Sequence, residues 1–240
     1  MDPDATRPTG GSPARRGDTA VRPAAPWTAS VHALLSHLHA RGIDWVPEPR
    51  GVAAGHARVS WVEGEVPAYP MPAYVWEPAV LARAASMLRE LHDATEGFDR
   101  AGRVWALPEH EPAEVICHND FAPYNLAFRA GLPAGAIDFE AASPGPRAWD
   151  LAYLAYRLVP LAHHSNPDLP PRPDAAERLA RLCAAYGDID PAAVRALVPQ
   201  RLRELATTAT PTHADLYRTD AAHIDGSVPL SMPQQVTRRD

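Results

Sequence analysis

Residues 115–138 read VICHNDFAPYNLAFRAGLPAGAID, and this stretch decides the fold of the chain. Its first three residues, Val115–Cys117, are apolar and predict a short buried strand. The pattern predicts two further strands at Leu126–Phe128 and Ala136–Phe139. A turn that contains glycine and proline, Gly131–Gly135, joins them. The stretch therefore predicts a strand, a polar loop and a hairpin in succession.

Three polar residues of this stretch can meet at one end of the hairpin. Asp120 and Asn125 lie five residues apart in the polar loop, and Asp138 follows the second hairpin strand. Closing the hairpin places Asn125 beside Asp138, and two hard oxygen donors that face one space suit Mg²⁺. Asp120 then lies close by with its carboxylate available. Metal ligands beside a carboxylate that can orient a hydroxyl are what phosphoryl transfer requires.

The order of these residues resembles a known family of enzymes. The run His118-x-Asp120, four further residues and Asn125, followed by Ile-Asp138-Phe, resembles the aminoglycoside phosphotransferase and choline kinase family. The segment 144–153, PGPRAWDLAY, extends the resemblance, which is strong over residues 57–160. The family implies a catalytic role for Asp120 and metal binding by Asn125 and Asp138.

Two more residues of the motif have predicted supporting roles, and two others have none. The resemblance implies that Asp150 braces the catalytic loop, and the position of His118 between strand and loop indicates that it braces the backbone. Asn119 departs from the family, which usually has glycine here. Asparagine tolerates left-handed backbone angles better than most residues, so the loop can keep its shape. Cys117 continues an apolar strand and is predicted to be inert packing.

The composition restricts the class of protein. The chain has 240 residues, 46% of them hydrophobic, and a formal net charge of −6, which does not favour nucleic-acid binding. All 23 basic residues other than histidine are arginine. Two cysteines indicate a reducing compartment, and no apolar run approaches the length of a membrane span. We therefore expect a cytoplasmic protein without a nucleic-acid or membrane partner.

The pattern along the chain predicts an α+β protein, and the resemblance implies a two-lobe kinase-like fold with a reduced N-terminal lobe. Strands are expected within Gly17–Pro23 and Ala57–Val62. Helices are expected at Trp27–Ala40, Ala79–His92, Trp149–Leu161, Ala175–Tyr186, Pro191–Thr207 and Thr212–Ile224. The expected divisions are a disordered N-terminus at 1–16, a reduced N-terminal lobe at 17–66 with a hinge at 62–65, a helical C-terminal lobe at 67–225 and a loose tail at 226–240.

The predicted nucleotide site departs most from the family. Kinase-like enzymes carry a glycine-rich loop and a strand lysine paired with a helix glutamate. This chain has no lysine, the segment Thr28–Ala40 has no glutamate, and Gly10-Gly11 is the one remnant of a phosphate loop. Arg22 is the residue that could replace the lysine. An equally favoured alternative is that Arg22 is simply a solvated residue at the edge of a strand. The resemblance places the nucleotide base against the backbone of the linker, which comprises Val62, Glu63, Gly64 and Glu65.

Three functions remain open from the sequence. The favoured one is a small-molecule kinase that uses Mg²⁺ and ATP or GTP, with a small hydroxylated acceptor that the negative charge allows to be cationic. The second is a weak or inactive nucleotide-binding protein with the same fold. The third is a metal-dependent hydrolase with His118 and Asp120 as ligands. The sequence indicates neither the acceptor nor the oligomeric state.

Overall fold

The computed structural model describes residues 13–162, 174–187 and 189–226, and it shows a two-lobe α+β fold. The N-terminal lobe contains an antiparallel sheet in the order β1-β2-β4-β3. Its strands are β1 (Ala14–Arg16), β2 (Thr19–Pro23), β3 (Pro49–Ala53) and β4 (His56–Ser60). Helix α1 (Thr28–Ala40) connects β2 to β3. The position of β2 between β1 and β4 makes it an interior strand of this sheet.

Two strands of this lobe were not predicted. Residues 14–16 form β1, in which Ala14 pairs with Val21, so the expected disorder of 1–16 is wrong for these residues. Residues 1–12, which include Gly10-Gly11, lie outside the described residues. Strand β3 begins with a proline and contains a glycine, both of which are depleted in strands. Its pairing with β4, with an irregularity between Pro49 and Val52, overrides that weak local preference.

The helices nearest the sheet have the apolar faces that the sequence predicts. Helix α2 spans Pro78–Thr95 and begins at a proline, which is favourable in the first helical turn. The predicted stripes are buried in both helices: Val31, Leu34, Leu35 and Leu38 in α1, and Leu81, Ala84, Ala85, Leu88 and Leu91 in α2. These side chains join the main hydrophobic core. Burial of an amphipathic face therefore stabilises both helices.

The motif segment forms two small antiparallel ladders. Strand β5 (Val115–Cys117) pairs with β8 (Ser143–Gly145), which was not predicted. The hairpin consists of β6 (Leu126–Arg129) and β7 (Leu132–Ala136), with Leu126 opposite Ala136. The second hairpin strand is therefore Leu132–Ala136 and not the predicted Ala136–Phe139, and four residues of the predicted turn, 132–135, belong to it. It ends at Ala136 because Asp138 has a left-handed backbone with φ 66°, which extended structure cannot accommodate.

The rest of the described C-terminal lobe is helical. It contains α3 (Arg147–Leu158), α4 (Ala175–Tyr186), α5 (Pro191–Thr208) and α6 (Pro211–Gly226). The bounds of α4 agree with the prediction, whereas α3 begins two residues earlier and ends three residues earlier than predicted. Helix α3 packs against α5, which packs against α6. No helix in the described ranges has the length and apolar character needed to span a bilayer.

The two lobes meet where the linker after β4 contacts the hairpin. The backbone N–H of Glu65 donates to the carbonyl of Phe128 at 2.9 Å, and the N–H of Phe128 donates back at 2.7 Å. Gly135 approaches so closely that a Cβ there would lie 2.5 Å from Val62 Cγ1 and 3.0 Å from the Trp45 carbonyl. The hairpin that carries the motif is therefore fixed against both lobes.

Candidate active site

The loop after β5 is held by the carboxylate of Asp150 at the start of α3. Asp150 is fully buried and accepts hydrogen bonds from the backbone N–H groups of His118 at 2.7 Å and Asn119 at 2.9 Å. The ring Nε2 of His92 on α2 lies 3.1 Å from the same carboxylate. Asp150 thus joins α2, α3 and the loop, in agreement with the geometry expected of a bracing residue.

The electrostatics of Asp150 follow from these contacts. Desolvation by burial raises the pKa of this carboxyl group, but the hydrogen bond and the attraction of His92 outweigh burial, with a further contribution from His118. The net result is a pKa below the ordinary value. Asp150 is therefore stabilised as a carboxylate, the form that can accept both backbone hydrogen bonds.

Asn119 adopts the left-handed conformation that the sequence allowed, with φ 62°. Its side-chain amide donates to the carbonyl of Ala141 at 3.0 Å and to Ser143 Oγ at 2.8 Å. The buried Arg201 of α5 donates to the Asn119 carbonyl at 2.7 Å. Sequence reasoning missed Arg201, because 82 residues separate it from the loop and no local pattern marks it.

Asp120 lies in the loop with both carboxylate oxygens engaged. Tyr124 donates its hydroxyl to Oδ1 at 2.7 Å, and the Asn125 amide donates to Oδ2 at 2.7 Å. Burial is the largest influence and raises the pKa of Asp120, although the Tyr124 hydrogen bond and His118 oppose it. Each oxygen keeps a second lone pair, so the carboxylate can still accept a proton from a bound hydroxyl.

His118 uses both ring nitrogens on backbone groups. Its Nε2 lies 3.0 Å from the Ile137 carbonyl, and the Asp120 N–H lies 3.3 Å from its Nδ1. Neither nitrogen is therefore available as a metal ligand, and the hydrolase hypothesis that required one is wrong. Within the described ranges, one cluster of three side chains has potential metal-ligating atoms within 4.8 Å of one another. It consists of His92, Cys117 and Asp150, all of which are buried. Burial raises the pKa of the Cys117 thiol, as expected for inert packing.

Asn125 immediately precedes β6 and Asp138 follows β7, so both lie at the open end of the hairpin, where the sequence predicts a metal site. The Ile137 N–H donates to the Asn125 carbonyl at 2.9 Å, which places Asp138 one residue beyond that contact. Because the Asn125 amide nitrogen bonds Asp120, its Oδ1 is a buried oxygen without a hydrogen-bond partner among the described residues. This amide oxygen and the Asp138 carboxylate, which lies at the same end of the hairpin, are oxygen donors of the kind that Mg²⁺ prefers.

Arg22 extends from β2 to the same end of the hairpin. Its Nη1 lies 2.9 Å from Asp138 Oδ1 and 3.5 Å from Glu140 Oε1, and its side chain is 19% exposed. Glu140 also accepts from the Trp27 indole N–H at 2.6 Å. The alternative of a solvated strand-edge residue is therefore wrong for Arg22.

Neither of the two carboxylates beside Arg22 comes from helix α1. Helix α1 supplies no glutamate, and Glu140, two residues after the predicted metal ligand Asp138, takes that position. Burial is the main cause of a raised pKa at Glu140, opposed by Arg22 and Trp27. The sequence signal for Glu140 was its place in the Asp-Phe-Glu triplet, which sequence reasoning did not use.

Of the four residues of the predicted linker, Val62 and Gly64 line a cavity between the lobes, whereas Glu63 and Glu65 do not. This cavity of about 300 Å³ is lined by residues that include Arg22, Val62, Gly64, Tyr124 and Asp138. The Glu65 N–H cannot donate to a nucleotide base, because it already donates to the Phe128 carbonyl, whereas the Glu65 carbonyl accepts from the Phe128 N–H and keeps a second lone pair. The side chain of Glu63 is exposed and pairs with Arg15.

Comparison of the sequence with protein families and curated proteins gives two matches. Residues 97–197 match the model of the phosphotransferase enzyme family. The chain is 37% identical over 142 residues to the trifolitoxin immunity protein of Rhizobium leguminosarum bv. trifolii. That match covers 54% of this chain and 51% of the relative, so the chain spans about half the length of the curated relative it matches.

Two solved structures show how far the fold likeness extends. The gentamicin complex of APH(2″)-IIa has a TM-score of 0.60 and 13% identity, covering 93% of this chain and 90% of that chain. ADP-bound aminoglycoside phosphotransferase APH(2″)-Ib has a TM-score of 0.57 and 14% identity, covering 89% and 90%. The loop and hairpin that carry Asp120, Asn125 and Asp138 lie in the segment matched by the family model, whereas Arg22 and the linker lie outside it. The solved structures show that the chain has the fold of aminoglycoside phosphotransferases. Together with the match of residues 97–197 to the phosphotransferase enzyme family, they confirm the resemblance predicted from the motif.

Proposed function

We propose that this protein is a small-molecule kinase that transfers the terminal phosphoryl group of ATP or GTP to a hydroxyl of a small acceptor. The observation that carries the proposal is the arrangement of Asp120 and Asn125. One amide nitrogen fixes the Asp120 carboxylate, while the amide oxygen of the same side chain has no partner among the described residues and lies at the end of the hairpin that also carries Asp138. A base and a set of metal ligands are thus built from one short loop and one hairpin.

Asp120 is proposed to orient the acceptor hydroxyl and accept its proton as the phosphoryl group is transferred. Its two hydrogen bonds hold the carboxylate in one orientation, which favours a reactive alignment of the acceptor. Asn125 and Asp138 would hold Mg²⁺, which when bound neutralises charge on the nucleotide phosphates. Arg22, Val62 and Gly64 line the cavity between the lobes and are proposed to contact the nucleotide.

The negative net charge and the similar proteins bear on the acceptor. A formal net charge of −6 favours a cationic acceptor over an anionic one. One similar solved structure contains gentamicin, and the curated relative is named for immunity to a toxin. We therefore place aminoglycosides, small cationic alcohols and hydroxyl-bearing toxins in the set of acceptors to be tested.

The alternative is a protein of this fold that binds a nucleotide without transferring phosphate. The ion pair between Arg22 and Asp138 favours it, because one metal ligand is already neutralised by a protein cation. The absence of lysine from the sequence and the short N-terminal sheet favour it as well.

One experiment separates the two functions. The full chain is incubated with Mg²⁺ and ATP or GTP in the presence of each acceptor, and release of nucleoside diphosphate and phosphorylated acceptor are both measured. The kinase predicts acceptor-dependent release that the Asp120→Asn variant lacks. Nucleotide binding by calorimetry without any acceptor-dependent release across the whole panel would instead establish the alternative.

A further inference from the structure

A buried arginine lies directly behind the proposed catalytic carboxylate. Arg157 of α3 is 4% exposed, and its guanidinium carbon lies 5.2 Å from the ring centroid of Tyr124, 5.3 Å from that of Tyr153 and 5.2 Å from that of Tyr156. No carboxylate forms an ion pair with Arg157 in the part of the chain that the structure describes. A buried cation without a direct counter-charge is costly, so its position calls for a physical reason.

Tyr124 connects this cation to Asp120. The Tyr124 hydroxyl donates to Asp120 Oδ1 at 2.7 Å and accepts from Arg157 Nη2 at 3.2 Å. Tyr153 lies on the same side, with its hydroxyl 2.7 Å from that of Tyr124 and 3.2 Å from Arg157 Nε. Arg157 therefore faces the Asp120 carboxylate through one shared hydroxyl group. A cation that polarises a hydroxyl strengthens the hydrogen bond that the hydroxyl donates.

Local spacing explains why these groups meet. Tyr153 and Arg157 are four residues apart on α3 and share one face of the helix. Tyr124 immediately precedes Asn125 in a short 3₁₀ turn over Pro123–Asn125. One turn thus delivers both donors to Asp120, from Tyr124 to Oδ1 and from Asn125 to Oδ2.

We propose that Tyr124 is a positioning residue for Asp120 and that Arg157 is the buried counter-charge acting through the Tyr124 hydroxyl. The catalytic part of this assignment rests on the proposed function. The structural part, an energetic coupling of Tyr124 to Asp120, does not. Two donors on the two carboxylate oxygens fix the rotation of the carboxylate, and loss of either leaves it free to turn away from the acceptor.

The first test removes only the hydroxyl. Tyr124→Phe keeps the ring that contacts Arg157, and we expect kcat to fall by about tenfold or more because a hydrogen bond to a charged group is lost. The KM values for nucleotide and acceptor should stay within about twofold, because the interaction acts on the reacting carboxylate and not on substrate binding.

A matched control residue, Tyr156, lies on α3 next to Arg157. Tyr156 is 1% exposed and its ring also contacts Arg157, but its hydroxyl donates to Asp220 at 2.8 Å. Tyr156→Phe makes the same chemical change at the same depth without touching Asp120. We expect it to alter kcat by no more than about twofold, whatever its effect on the melting temperature.

The second test does not depend on phosphoryl transfer. Unfolding in urea is measured for Tyr124→Phe, Asp120→Asn and the double variant. Because the two side chains share a hydrogen bond, the combined change in the unfolding equilibrium constant should differ from the product of the single changes by about threefold or more. In the corresponding double-mutant cycle of Tyr156→Phe with Asp120→Asn, the change in the unfolding equilibrium constant of the double variant should equal the product of the two single changes.

The outcomes separate this assignment from the proposed function. One outcome is that the wild-type protein transfers no phosphate while the urea-unfolding cycle of Tyr124→Phe with Asp120→Asn shows non-multiplicative changes. The kinase proposal then fails, and the energetic coupling of Tyr124 to Asp120 stands. A Tyr124 cycle without coupling overturns the assignment whether or not the protein is a kinase. A Tyr124→Phe variant with wild-type kcat overturns it as well.

Discussion

The two sides of the cleft are built in different ways. On the C-terminal side, Asp150, Arg201 and Tyr124 hold the loop after β5 through short hydrogen bonds that converge from two helices and a turn. On the N-terminal side, one basic side chain, Arg22, contacts Asp138 and Glu140. In the proposed kinase, the larger lobe would therefore hold the reacting groups through many hydrogen bonds, whereas the nucleotide contact of the smaller lobe would depend on one ion-paired arginine.

The largest effect is expected where the C-terminal side carries the chemistry. Asp120→Asn should lower kcat by about 10²–10⁴-fold, because a positioned general base is lost. Nucleotide affinity should barely change, since Asp120 is not among the residues that line the cavity between the lobes. Steady-state kinetics and calorimetry on the same variant measure the two quantities. Turnover of an identified acceptor at the wild-type rate would rule out the role of Asp120.

The second prediction removes the brace of the same side. Asp150→Ala leaves the buried N–H groups of His118 and Asn119 and the ring of His92 without their acceptor. The free energy of unfolding should fall by about 3 kcal/mol or more, and activity should fall with it. Urea unfolding and kinetics check both. Lost activity with an unchanged melting temperature would point to a direct chemical role for Asp150.

The acid dependence of stability sharpens this prediction. The folded-state pKa of Asp150 lies below its ordinary value, so its contribution is present above the unfolded pKa and is lost as pH falls through the folded pKa. The stability difference between wild type and Asp150→Asn should therefore narrow below about pH 4. The exposed Asp215 supplies the control variant, Asp215→Asn, whose stability difference from wild type should stay small throughout. A difference for Asp150→Asn that does not change with pH would contradict the assignment.

The third prediction lies where the two sides meet. Asp138→Ala removes the carboxylate that, together with the amide oxygen of Asn125, would hold Mg²⁺ in the proposed metal site. The tightening of nucleotide binding by Mg²⁺ should disappear, which calorimetry with and without the ion can detect. Loss of one charge-assisted contact corresponds to about tenfold or more in affinity. Full Mg²⁺ dependence in this variant would reject the site.

The smallest effect is expected on the N-terminal side. Arg22→Ala should weaken nucleotide binding by about tenfold when Mg²⁺ is absent, because Asp138 and Glu140 then face the phosphates without a cation. Arg22→Lys should recover part of the loss, since it restores the charge without the forked geometry. The loss should be smaller with Mg²⁺ present. Titration of ATP and GTP measures these changes, and nucleotide affinity that ignores Arg22→Ala would leave that residue without a role.

The prediction from sequence succeeded where neighbours along the chain decide the structure. The strand Val115–Cys117, the helix Ala175–Tyr186 and the left-handed backbone of Asn119 follow from apolar periodicity and from the conformational range of one residue type. The position of Asn125 and Asp138 at the same end of the hairpin follows from hairpin closure, although β7 ends earlier than predicted. Sequence failed for strands β1, β3 and β8, whose weak local preferences are overridden by pairing with stronger partners.

The sequence by itself determined the motif, its order and the chemistry that the motif can perform, because Asp120, Asn125 and Asp138 lie on one short stretch whose turns are encoded locally. Only the tertiary structure decided which side chains support them. Glu140 meets Arg22 across 118 residues, and Arg157 reaches Tyr124 from α3. It also decided that the Phe128 carbonyl takes the N–H of Glu65. Such contacts depend on how helices and strands pack, and packing is settled by the whole core and not by any local pattern.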